Sequence, residues 1–170
     1  MRSTVLDMAT RTLATEQDRV AVMRLVLNGL ADDEPIDDLL TKLRQYADYD
    51  FPFPGDALTD IAASGLRAAG ATPAAPLSLS HATERYLREW NVSGNTARQK
   101  HRAAINAAIA QHAGIVVDYD ETAGWWQVQD YTFHAFKAAV ILIRAAADHT
   151  GRSVHSICEE IAAQHHVPLD

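Results

Sequence analysis

Between residues 95 and 106 the side chains sort by face. At 100° per residue, Asn95, Gln99, Arg102 and Asn106 fall on one side of a helix. Ala97, His101, Ala104, Ile105, Ala108 and His112 fall on the other. Amide side chains pair with adenine edges and a guanidinium pairs with guanine or phosphate, so the polar row has the chemistry of a major-groove reader. The stretch 80–114 holds Arg85, Arg88, Arg98, Lys100 and Arg102 against Glu84 and Glu89, a local net of +3 in an acidic chain. A solvated helix face is also polar and often basic. The row therefore leaves two readings open, DNA contact and plain solvation.

Other residue types that do chemistry are present at less informative spacings. His101 and His112 share a face but stand about 16 Å apart at 1.5 Å rise per residue, too far to share an ion. His165 and His166 follow Cys158, Glu159 and Glu160, yet no HExxH or CxxC spacing occurs. Cys158 lies beside Ile157 and Ile161, as a buried small side chain would. Asp32/Asp33 and Asp37/Asp38 sit at a helix start rather than opposite one another, as paired acids for glycoside chemistry would need to be. There is no GxSxG, no glycine-rich phosphate loop and no dinucleotide fingerprint. The expectation is a protein that is not an enzyme and uses no metal or cofactor.

The elements that must position the polar row follow from apolar spacing and caps. Val20, Met23, Leu27 and Leu30 share one helix face, and Pro35 stops that helix. Ile36, Leu39, Leu40 and Leu43 form the stripe of a second. Asp56 is placed to cap a third, through Leu58, Ile61, Ala62 and Leu66, closed by Gly70. Residues 71–79, small, proline-containing and uncharged, read as a linker. After it, 81–90 reads as a helix with Tyr86, Leu87 and Trp90 roughly on one face. Asn91 to Gly94 is a turn, and a helix from about Asn95 to His112 follows. Gly114 to Tyr119 and Trp125 to Gln129 read as a β-hairpin. Phe133 to Ala147 is apolar on nearly all sides, so it is the central helix of the fold or half of a homodimer interface, with Lys137 and Arg144 marking a solvent-facing edge. Ser153 caps a last helix to about His166.

This order resembles the winged helix-turn-helix of GntR-type bacterial regulators over residues 80–129. The residues that carry the resemblance are Val92, Ser93, Asn95, Thr96 and Arg98, with Val92 plugging the turn and Ser93 capping the second helix. The resemblance implies that Ser93, Asn95, Thr96 and Arg98 contact DNA, beside Gln99, Arg102 and Asn106 from the polar row. Ser93-Gly94-Asn95-Thr96 is also similar to the core-binding domain of tyrosine recombinases, which covers less of the chain.

Composition sets the bounds. The chain has 170 residues, 48% of them hydrophobic and 22% charged, with 6 Pro and 8 Gly. That supports a buried core without staples and excludes general disorder. One Cys excludes an intramolecular disulfide and a cysteine-rich zinc module. A net charge of −7 excludes bulk nucleic-acid binding, so any DNA contact is local. Residues 1–70 carry 7 basic and 12 acidic side chains, so the acidity sits mostly there.

The expected architecture is mainly α. It has an acidic helical region at 1–70, a linker at 71–79, and at 80–170 a winged-helix-like region with a C-terminal helical hairpin. The expected function is sequence-specific binding of double-stranded DNA by a cytoplasmic homodimer, a bacterial or phage transcriptional regulator. The acidic N-terminal helices would serve a protein partner, and no membrane is involved. The alternative is a helical protein–protein interaction module without nucleic-acid binding.

Overall fold

Thr15 starts the first described helix with a reciprocal capping box. Its hydroxyl accepts from the Asp18 N–H at 3.1 Å and its own N–H donates to the Asp18 carboxylate at 2.8 Å. Helix α1 (Glu16–Ala31) then buries Val22, Met23, Val26, Leu27 and Leu30. Asp33 turns the chain in a left-handed conformation (φ 54), which Asp tolerates better than most residues. Pro35 precedes α2 (Ile36–Leu43), whose inward stripe is Ile36, Leu39, Leu40 and Leu43. Gly29 is where α1 meets that stripe: a Cβ there would lie 2.0 Å from Leu39 Cδ2. These are features of a computed structural model that describes residues 15–46, 54–90, 108–109, 112–117 and 131–170.

Helix α3 (Gly55–Ala69) follows Pro54. Asp56 falls inside its first turn rather than at the cap, because Pro54 already supplies the stop. Gly70 ends α3 in the left-handed conformation, φ 60, that a glycine adopts without a Cβ penalty. Among the described residues the next elements are β1 (Leu77–Ser78), α4 (Ser80–Trp90), β2 (Val116–Val117), α5 (Tyr131–Thr150) and α6 (Val154–Gln164). The Ser153 hydroxyl accepts from the Ser156 N–H at 3.0 Å and so caps α6, as its position predicts.

The molecule is mainly helical, and α5 is its axis. Every residue from His134 to Ala147 is buried within the one chain. Helix α3 makes the most extensive contact with α5, α4 and α6 pack on other sides, and α1 closes over α6 and α3. Small residues on both helices let α3 and α5 approach closely: a Cβ on Gly65 would meet the Leu142 backbone at 3.4 Å. A single apolar cluster runs from Val22 to Val167 and takes in side chains from both sides of residue 70.

Two expectations need correction. Residues 71–79 are not a free spacer. Thr72 and Ala75 exchange backbone hydrogen bonds around the Pro73–Ala74 turn, Leu77 and Leu79 are fully buried, and β1 pairs with β2. The alternation of Leu77 and Leu79 placed both on the inward side, and burial outweighed the flexibility that the small residues suggest. Lys137 and Arg144 do not mark a solvent-facing edge, since both are buried. Helix 133–147 is therefore no open dimer face, because its apolar circumference is covered within one chain. Val116–Val117 is extended, as expected, but it pairs in parallel with Leu77–Ser78. The return strand expected at 125–129 lies outside the described residues, as do Trp125 and Trp126.

Candidate nucleic-acid interface

Helix α4 leads directly into the motif and is the element that must hold it. Ala82 and Tyr86 are buried at one turn's spacing, and Leu79 just before the helix is buried as well. The opposite side carries His81, Glu84 and Arg88, all exposed. At the far end of the motif, Ala108 and Ile109 have helical backbone; Ala108, on the side assigned inward, is buried. The chain then bends at His112 and enters β2, where the Leu77 N–H donates to the Ile115 carbonyl at 2.8 Å. Both ends of the 91–115 stretch are thus tied to one body. The residues expected to contact DNA (Ser93, Asn95, Thr96, Arg98, Gln99, Arg102 and Asn106) lie outside the described residues, so the structure does not bring them together or separate them.

Part of the local positive charge is neutralised inside the protein. Glu89 accepts from Arg85 Nε at 3.0 Å, one helical turn away, and from Arg144 Nη1 at 2.6 Å. Burial pulls the Glu89 carboxyl upward, but the hydrogen bonds and charges of Arg144 and Arg85 outweigh it, and its pKa falls below the usual carboxylate range. Burial drives the Tyr86 phenol upward; nearby Arg144 opposes this, while Glu89 and Asp37 add to it. Arg88 of α4 is exposed to solvent.

A second polar group locks the other end. Ser64, fully buried in α3, donates to the Asp60 carbonyl at 2.8 Å and lies 2.7 Å from His165 Nε2. Arg67 donates to the Ser64 hydroxyl at 2.7 Å and reaches His112 Nε2 at 3.4 Å. Arg19 pairs with Asp60. Desolvation lowers the pKa of His165 and of His112; the Arg19 charge adds to this at His165, and the Arg67 charge at both. A serine beside a histidine invites a nucleophile reading, but this hydroxyl is sealed and already hydrogen-bonded along its own helix. The group joins α3, α6 and the approach to β2. Sequence reasoning missed it, since Ser64 and His165 are 101 positions apart and Ser64 sits in an apolar helix.

The remaining candidates resolve simply. Cys158 is buried and its thiol is pushed up to about 12 by desolvation, which suppresses the reactive thiolate. Among the described residues no group of three His, Cys, Asp or Glu side chains is placed to hold a metal ion, and no helix is long and apolar enough to cross a membrane. No family model, no curated protein and no solved structure matches the chain.

Proposed function

We propose that the protein is a sequence-specific DNA-binding protein of the bacterial or phage regulator type. In this reading Asn95, Gln99 and Arg102 face the major groove, and Ser93, Thr96 and Arg98 lie at the start of the reading helix. The observation that carries it is the anchoring of the motif's two ends. A helix-turn-helix needs a first helix packed firmly enough to aim the second. Here α4 is seated by Ala82 and Tyr86, and β2 is tied to β1 next to the start of α4. Because Arg85 is engaged by Glu89, the phosphate contacts fall to Arg88, Arg98, Lys100 and Arg102. A homodimer would read two half-sites and gain avidity, through a surface other than α5.

A gel shift against genomic DNA fragments at two salt concentrations tests this. Arg102→Ala is expected to weaken binding and to lower the salt slope by about 1, while Gln99→Ala changes sequence preference more than affinity. Equal binding by an Arg98→Ala, Arg102→Ala double variant removes this helix from the interface. The second reading is a protein-interaction module. It draws on the exposed Asp32, Asp33, Asp37 and Asp38 around the α1–α2 turn, which would suit a basic partner. No retention of DNA at low salt favours it over the first.

A further inference from the structure

Where α4, α5 and the α1–α2 turn meet, the surface opens into a cleft of about 340 Å³. That volume is at the small end of the range of about 300–1,000 Å³ typical of ligand sites. Three separate elements line it: Asp33 and Asp37 from the turn, Arg85 and Glu89 from α4, and Arg144 from α5. Arg144 is 7% exposed, and among the described residues its hydrogen bond is from Nη1 to Glu89. A guanidinium carries five N–H donors. Arg144 itself lines the cleft, with Nη1 committed to Glu89 and further donors on the same guanidinium. Arg85 likewise gives Nε to Glu89.

The lining carries charges of both signs, Asp33 and Asp37 on the turn and the two arginines on α4 and α5. Two arginines share a single Glu89, which leaves the floor with net positive charge. Glu34, also in the lining, is paired with Lys42. Asp33 and Asp37 are exposed at the rim, and their carboxylates have no ion pair or hydrogen bond among the described residues. A simple anion would be drawn by the floor and repelled by the rim, and a simple cation the reverse. A molecule with both ends satisfies both, and a forked guanidinium suits a carboxylate.

We propose that this cleft binds a small zwitterion of the free amino-acid class, with its carboxylate on the Arg85–Arg144 floor and its ammonium at the Asp33–Asp37 rim. The site does not depend on DNA binding, and its test contains no DNA. Isothermal titration of the full chain is run at constant ionic strength against the proteinogenic amino acids, β-alanine and γ-aminobutyrate, one at a time. Sodium propionate and propylamine hydrochloride serve as single-ended probes. At least one zwitterion is expected to saturate about tenfold or more tightly than either single-ended probe. Arg85→Gln and Asp37→Asn are each expected to weaken it about tenfold. Both side chains reach solvent, Arg85 being 43% exposed and Asp37 exposed, so circular dichroism should show the variants folded. The proposal is overturned if no zwitterion saturates, if propionate or propylamine binds as tightly, or if both variants bind unchanged.

Discussion

Helix α5 lives in two different environments. Along α3 it meets Gly65, where backbone approaches backbone closely enough that an added Cβ would already touch Leu142. Toward α4 it meets Tyr86 and Glu89 and carries a buried guanidinium beside an open cleft. The first seam is held by packing density, which admits few alternatives. The second is held by directional bonds to groups that water partly reaches, Glu89 being 33% exposed on its side chain. The α3 seam supplies stability, while the α4 corner is the side that can change its partners without loss of the core.

The largest expected effect lies in the seam. Ile61→Ala removes a fully buried side chain from α3 and should cost about 2–5 kcal/mol, read as a lower midpoint in urea unfolding. Arg144→Met in the corner should cost less, about 1.5–3 kcal/mol, because the abandoned Glu89 can rehydrate. Adding Glu89→Gln to it should recover part of that loss. If Arg144→Met costs more than Ile61→Ala, the contrast between seam and corner is reversed.

Acidity sharpens the same contrast with smaller effects. His165 and His112 have folded pKa values below their ordinary one, so folding favours their neutral forms. Their contribution is complete above the ordinary histidine range and is lost as pH falls through the lowered folded values. The Glu89 contribution is kept until pH falls through a value below the usual carboxylate range. Melting temperature should therefore decline between pH 7.5 and 5.5 through the α3–α6 lock, and His165→Gln should flatten the decline. A decline unchanged in that variant would place the sensitive group elsewhere.

Much of this body was legible in the sequence. The i, i+3, i+4 spacing of Leu and Val, with Pro35, Gly70 and Ser153 as punctuation, located α1, α2, α3 and α6. The all-round apolar character of α5 left two readings, a central helix or half of a dimer interface, and burial within one chain favours the first. What was hidden was long-range. Nothing near Arg144 in sequence names Glu89, 55 positions away, so a buried charge read as an exposed one. The parallel pairing of β1 with β2 has no local signature either, and the prolines of 71–79 outweighed the alternation of Leu77 and Leu79. For the candidate DNA-reading residues, local patterning and the family resemblance supplied the whole argument, and the structure describes the frame on either side of them.

That frame has a kinetic side. The pairing of Leu77–Ser78 with Val116–Val117 closes the excursion through α4 at its base with two residues on each strand. Cooperative opening need not reach the α3–α5 seam: release of β2 frees one end of the excursion, and withdrawal of Tyr86 frees the other. Amide protons of α4 should then exchange as a set, well ahead of those in α3 and α5, so that the protein opens in two tiers. A partner that grips this excursion would slow the exchange of the α4 amides while leaving the inner tier as it was.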